Sequence, residues 1–233
     1  IAGDDVEHRE QPRREPAEDD QFGFALAAGD LDGNGFDDLA IGVPQDDTAG
    51  ATDAGAVNVL YGSASGLSAA NNQLWSQDTS DVQGVPEASD HFGYALAIGD
   101  FDNNGRDDLA VGVPNEADGA TASVGAVHVI RGSASGLTAA LNQLWLQGED
   151  NLVGAAEAND RFGSSQHSSD FNGDGHDDLA IGVPGEDTTI SNAGEVNVLY
   201  GGPNSLSSAN ANRWEQDNIG STSEVNDDFA REF

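Results

Sequence analysis

The chain has 233 residues, with 42 acidic side chains against 8 basic ones and a formal net charge of −34. That balance excludes nucleic acid and anionic membrane surfaces as partners, because phosphate binding needs a basic footprint. Cysteine is absent, which excludes disulfides and thiol chemistry, and no apolar run approaches the ~18 residues of a membrane-spanning helix.

In chain order, residues 1–16 stand apart from the rest of the chain and hold three of the eight arginines. They form an atypical N-terminal segment. Ile1 opens without a basic stretch or an apolar core, so no signal peptide is read there. From residue 17 a unit begins. FGFALAAGD, starting at Phe22, predicts a short apolar strand headed by an aromatic. An acidic loop comes next, from Asp30, and then DDLAIGVP predicts a second strand closed by Pro44. GAVNVLYG, from Gly55, alternates with period two, as a half-buried strand does. A Ser-Gly-Leu turn leads to NQLWSQ, a fourth and more polar strand that carries Trp75. Glycine and Asx/Ser clusters separate these runs. Clean apolar runs of this kind argue against disorder, the competing reading of so high a charge.

The unit is then repeated. The segment DLDGNGFDDLAIGVP begins at Asp30, DFDNNGRDDLAVGVP at Asp100 and DFNGDGHDDLAIGVP at Asp170, 70 residues apart each time. Asp-x-Phe-Gly heads the copies at Asp20, Asp90 and Asp160, and each carries one late tryptophan: Trp75, Trp145 and Trp214. The boundaries fall at 17–89, 90–159 and 160–226, with the start of a fourth repeat at 227–233 that stops at Phe233. Four short strands and one aromatic set per ~70 residues predict an all-β fold of β-propeller blades, each of four antiparallel strands. A linear solenoid is the alternative, although its repeats are usually about 20 to 45 residues. Three blades make a partial propeller. Closed rings hide their strand edges, so a larger parent propeller is expected, along with self-association through exposed end blades.

Early Phe-Gly, a later Gly-Val-Pro and an Asp-x-Asp/Asn-x-Asn/Asp-Gly-x-Asp-Asp loop between them resemble the FG-GAP repeats of integrin α-subunit propellers and of bacterial secreted proteins. The resemblance covers roughly residues 17 to 228. It departs in the third copy, where FGSSQHSSD replaces the apolar first strand, and in residues 1–16.

The loop has the chemistry of a calcium site. Positions 1, 3, 5 and 9 are Asp30, Asp32, Asn34 and Asp38; Asp100, Asp102, Asn104 and Asp108; and Asp170, Asn172, Asp174 and Asp178. Alternate oxygens on a tight loop can converge on one point. Position 7 is Phe36, Arg106 or His176, so its side chain is not the ligand and its carbonyl is the expected one. Gly35, Gly105 and Gly175 serve the bend at position 6. An all-oxygen set suits Ca²⁺, which accepts 6 to 8 irregular ligands. An EF-hand would need Glu at position 12, but Ile41, Val111 and Ile181 stand there. Three Ca²⁺ sites are therefore expected, one per hairpin. A plain set of Asx-rich turns is the alternative. Asp37, Asp107 and Asp177 at position 8 point away on alternation and are read as supporting or solvated.

Phe22, Phe92 and Phe162 are expected in the core between blades. The tryptophans are read as packing on the outer strand, with a sugar-stacking row as the alternative. Gln166 and His167 mark either a polar site facing the central channel or a less stable blade, and the second is favoured. No nucleophile–base arrangement is visible among the histidines and serines, so no catalytic residues are assigned. The resemblance implies calcium hairpins on one face and ligand recognition by the opposite loops, 44–55, 78–90, 114–125, 148–160, 184–194 and 217–227. The expected function is a calcium-stabilised, non-catalytic adhesion or ligand-binding module, extracellular or at the cell surface, with a protein or glycan ligand. The alternative is a domain of a secreted enzyme acting on polysaccharide or another extracellular substrate.

Overall fold

The computed structural model describes residues 19–149, 152, 154–187, 190–224 and 229–230. The atypical segment 1–16 lies outside them, as does most of the fourth repeat. Twelve strands are described. β1 (Leu26–Gly29), β2 (Asp38–Val43), β3 (Ala56–Tyr61) and β4 (Ser68–Trp75) form one sheet. The second holds β5 (Ala95–Gly99), β6 (Asp108–Val113), β7 (Ala126–Ser133) and β8 (Gly136–Trp145). The third holds β9 (Ser165–Ser169), β10 (Asp178–Val183), β11 (Glu195–Tyr200) and β12 (Ser207–Trp214). Each is an antiparallel meander in sequence order. The first strands β1, β5 and β9 lie beside one another in series, which is the arrangement of successive propeller blades.

The registers repeat between blades. Leu26 faces Ile41, Leu96 faces Val111 and Gln166 faces Ile181. A bulge recurs in the outer pair at Val59/Tyr61, Val129/Arg131 and Val198/Tyr200. The second strand of each sheet is covered on both faces, and all six residues of β6 and of β10 are buried. It therefore reads as a continuous apolar run, and alternation shows only in the third strand.

Blades are fastened to each other through backbone. Phe92 N–H donates to the Ala54 carbonyl at 2.8 Å and Phe162 N–H to the Val124 carbonyl at 2.9 Å. Their rings are fully buried, each worth about 1.5–3 kcal/mol of apolar burial. The second strands must come close to the next blade, and glycine permits it. A Cβ on Gly42 would lie 2.1 Å from the Gly93 carbonyl oxygen, and one on Gly112 would lie 2.1 Å from that of Gly163. The fourth repeat begins in the same way, because a Cβ on Gly182 would meet the Ala230 oxygen, also at 2.1 Å.

One core expectation is corrected. Phe92 and Phe162 are in the core, but Phe22 is 68% exposed, because among the described residues no blade stands before the first. Trp75 and Trp145 are buried at the blade junctions, whereas Trp214 on the last described sheet is 44% exposed. Gln166 and His167 differ in exposure, and His167 is exposed. Gln166 is buried, and its amide would touch a Cβ placed on Gly112 of the preceding blade. A short 3₁₀ turn at Gln216–Ile219 was not anticipated.

Candidate metal centre

Each acidic loop joins the first and second strands of its sheet, so all three loops emerge at the same end. Position 1 comes directly after the first strand, and position 9 is the opening residue of the second. Position 9 is the most enclosed: Asp38, Asp108 and Asp178 are all buried.

Loop 1 is closed by its own carboxylates. Asp30 accepts from Asn34 N–H at 2.9 Å and from Gly35 N–H at 2.8 Å. Asp32 accepts from Asn34 N–H at 3.0 Å. Asp38 accepts from Leu31 N–H at 2.9 Å and from Gly62 N–H at 2.7 Å. One oxygen each from Asp30, Asp32 and Asp38 fall within 4.8 Å of one another. Loop 3 repeats the scheme. Asp170 accepts from Gly173 and Gly175 N–H, Asn172 from Asp174 N–H, and Asp178 from Phe171 and Gly201 N–H. Asp174 is turned towards His176, whose backbone N–H and ring hold its carboxyl below the usual range.

Loop 2 differs. Asp100 and Asp102 accept from Asn104 and Gly105 N–H as Asp30 and Asp32 do in loop 1. Asp108, however, faces Arg131 Nε at 3.4 Å, and Arg131 Nη2 forms an ion pair with Asp102. Sequence reasoning missed Arg131. It occupies the slot held by Tyr61 and Tyr200 in the other copies, a break visible when the three strand ends are aligned.

The electrostatics arise from crowding. Burial raises Asp38 and Asp178 above the usual carboxylate pKa, and it pushes Asp108 up to about 7. Neighbouring carboxylates raise all three further: Asp30 and Asp32 for Asp38, Asp100 for Asp108, Asp170 and Asp174 for Asp178. A hard cation would relieve both strains, and the donors are oxygens throughout.

Position 7 holds Phe36, Arg106 and His176. The Arg106 side chain also reaches the preceding loop, since a Cβ on Gly33 would lie 2.9 Å from Arg106 Cγ. Of the two readings of position 8, Asp107 and Asp177 follow the supporting one, but each supports the loop of the preceding blade. Asp107 accepts from Asp30 N–H at 2.8 Å and Asp177 from Asp100 N–H at 3.0 Å. Their own N–H groups donate back to the Asp30 and Asp100 carbonyls. Each blade thus clips the first residue of its predecessor's loop. Asp37, with no described blade before it, is exposed.

A second set of polar clasps lies at the other end of the blades. Gln77 donates to Glu116 at 2.6 Å, and Gln147 donates to Glu186 at 2.9 Å and Glu195 at 3.1 Å. Arg213 joins Glu186, Glu195 and Glu215. Burial pushes Glu116 and Glu195 up to about 7.

A row of meandering four-stranded blades with an acidic hairpin in each defines a propeller-repeat protein of the integrin-α type. Residues 22–60, 92–130 and 162–199 match the FG-GAP repeat family, and the chain belongs to it. It is 30% identical over 182 residues to phosphatidylinositol-glycan-specific phospholipase D of Bos taurus, covering 78% of this chain and 21% of that protein. It is 30% identical to integrin alpha-8 of Mus musculus, over 82% of this chain and 16% of the integrin. It is 33% identical to integrin alpha-4 of Xenopus laevis, over 72% and 15% respectively. The chain therefore spans about a fifth or less of the length of these relatives. Among the described residues no helix is long and apolar enough to cross a membrane.

Proposed function

We propose that this chain is a calcium-stabilised, non-catalytic binding module that works outside the cell and presents its loops to a protein or glycan. The observation that carries the metal reading is the gathering of Asp30, Asp32 and Asp38 oxygens within 4.8 Å on a loop that joins two strands. Ca²⁺ there would take those carboxylates, Asn34 Oδ1 and the Phe36 carbonyl, and would fasten β1 to β2. Loop 3 would use Asp170, Asn172, Asp174, Asp178 and the His176 carbonyl.

The end opposite the acidic hairpins supports the binding reading. A cavity of about 230 Å³ opens between blades 2 and 3, lined by His91, Tyr94, Asn115, Arg161 and Ser164. It combines an aromatic face, amide and hydroxyl groups and one cation, a lining suited to a sugar or to an acidic side chain. A glycan and matrix-protein array, probed with the intact chain with and without chelator, tests this reading. Arg161→Glu should abolish the recorded binding, and a blank array in calcium would defeat the reading.

The enzyme reading rests on one observation. Glu186, raised by burial, borders an open hollow of about 420 Å³ with Glu157, Asp187, Arg213 and Glu215. The binding reading accounts for Glu186 better, because Gln147 and Arg213 clasp it across the blade junction. A hydrolysis screen on polysaccharides with Glu186→Gln as control separates the two.

We also propose self-association of the chain. Phe22, Phe24 and Leu26 form an exposed apolar face on blade 1. The equivalents of Phe22 are docked on the preceding blade at Gly55–Phe92 and Gly125–Phe162. The complementary seat in this chain is the far side of blade 3, where Phe229 and Ala230 lie against Gly194 and Gly182. Ala230 holds a left-handed φ of 66°, a cost that Gly23 of a second copy would avoid. A second copy whose Phe22-Gly23 displaces Phe229-Ala230 from this seat is the occupant we propose.

A further inference from the structure

The three hairpins share a sequence pattern, but they do not share a charge state. Loops 1 and 2 carry the same four side chains at positions 1, 3, 5 and 9: Asp, Asp, Asn, Asp. Among the described residues, only the loop 1 group brings three carboxylates within 4.8 Å. Between loops 1 and 2 the difference lies at the end of the third strand, whereas in loop 3 Asp174 is turned towards His176. In blade 1 the Tyr61 hydroxyl turns outward to Gln73 of β4, and in blade 3 the Tyr200 hydroxyl bonds Asn212 of β12 at 2.6 Å. In blade 2 the residue is Arg131, and its guanidinium turns inward instead. It pairs with Asp102 and stands 3.4 Å from Asp108, with side-chain exposures of only 11%, 9% and 0% for the three residues.

The backbone of loop 2 has adjusted accordingly. In loops 1 and 3 the inner oxygen of position 9 accepts the N–H of position 2, Leu31 or Phe171, at 2.9 Å. In loop 2 that oxygen, Asp108 Oδ2, has no hydrogen-bond partner, and Phe101 N–H bonds the Gly99 carbonyl at 3.1 Å. The oxygen given up by the backbone is the one that faces Arg131.

We propose that Arg131 is a built-in counter-ion that takes the place of the metal in loop 2, so that the chain binds calcium at loops 1 and 3 only. The proposal rests on the calcium reading of the hairpins. The Arg131 guanidinium pairs with Asp102 and stands within ion-pair reach of Asp108, although its Nε and Asp108 Oδ2 make no hydrogen bond, and a guanidinium cannot be deprotonated. A divalent ion entering loop 2 would have to break the Asp102 ion pair and turn the guanidinium out of the space between Asp102 and Asp108, and removing one partner from a nearly buried pair is costly. Loop 2 would therefore hold its hairpin closed without calcium.

Calorimetric titration of the intact chain with CaCl₂ tests this. Two sites are expected in the unchanged protein and three in Arg131→Tyr, which installs the residue found in the other blades. Asp32→Asn should lower the stoichiometry from two to one, and Asp102→Asn should leave it at two. This pair keeps the test sharp if Arg131→Tyr fails to fold. Three comparable sites in the unchanged protein would overturn the proposal. So would two sites in a folded Arg131→Tyr, or loss of a site in Asp102→Asn. No binding at all would overturn the calcium reading itself, an outcome distinguishable from the others.

Discussion

Replacing Gly112 with alanine probes the closeness of blades 2 and 3. A Cβ there would lie 2.1 Å from the Gly163 carbonyl oxygen and 2.7 Å from Gln166 Nε2. A carbon–oxygen contact ordinarily closes to about 3.3 Å, so the carbonyl contact falls short by roughly 1.2 Å. The amide can swing away, but the carbonyl belongs to backbone that is itself bonded to Gly182. Blade 3 must move outward as a unit, and that motion strains the Phe162–Val124 hydrogen bond and the Asp177–Asp100 clip. Overpacking of a rigid core costs about 1–3 kcal/mol and occasionally more; with backbone on both sides the upper end applies, about 3 kcal/mol. In a chain of this size that lowers the melting temperature by about 6–12 °C. Gly66→Ala is the matched control. Gly66 has φ +92° with nothing within 4 Å of the added carbon, so it costs about 1 kcal/mol for the left-handed conformation alone. Thermal and urea unfolding of both variants, at fixed calcium, checks the ranking. A Gly112→Ala protein as stable as Gly66→Ala would refute the close-packed blade junction.

Asp107→Ala removes the carboxylate that blade 2 lends to Asp30 N–H, and it should weaken calcium at loop 1 by about tenfold or more while sparing loop 3; titration of the variant shows whether it does. The buried carboxylates Asp90, Glu116, Asp160 and Glu195 have folded pKa values raised to about 6, 7, 7 and 7. Their contribution is therefore fully present below their ordinary values near 4 and is lost as pH rises through 6 to 7. Melting temperature in chelator should fall between about pH 4 and 7 and level off above that, and Glu116→Gln should flatten that fall by about 1–3 kcal/mol; an equal or steeper fall in the variant would contradict the assignment. Sedimentation of the intact chain in calcium should show concentration-dependent association that Phe22→Ser reduces, and a monomer at all concentrations would exclude pairing through blade 1.

The blade plan was readable in the sequence because its signals are local. Asx and Gly set the hairpins, period two marks the third strand, and three copies separate the constant ligand slots from variable position 7. The parts that were not readable depend on neighbours. Alternation correctly turned Asp107 away from its own cluster, but its partner Asp30 lies 77 positions back in another blade. Phe22 and Phe92 are the same residue in the same slot, and among the described residues they differ in whether a blade stands before them. Arg131 was visible as a break in a Tyr-Gly pattern, yet its direction depends on side-chain reach, which pattern reading does not supply. The Gln77–Glu116 clasp was also written in the repeat, as glutamine two residues after Trp75 and Trp145 and as an acid two residues after Pro44, Pro114 and Pro184. It joins residues 39 apart, beyond the local rules.

The central claim is that calcium held in the hairpins stabilises the blades. Thermal unfolding in saturating calcium and in chelator, at constant ionic strength and pH 7.5, tests it most directly. The carboxylates of loops 1 and 3 repel one another without a cation, and an ion that binds only the folded chain stabilises it by about 2.7 kcal/mol at one hundred times its dissociation constant. The account predicts a melting temperature higher by at least about 5 °C in calcium, with saturation once the sites fill. An identical transition in calcium and in chelator would contradict it.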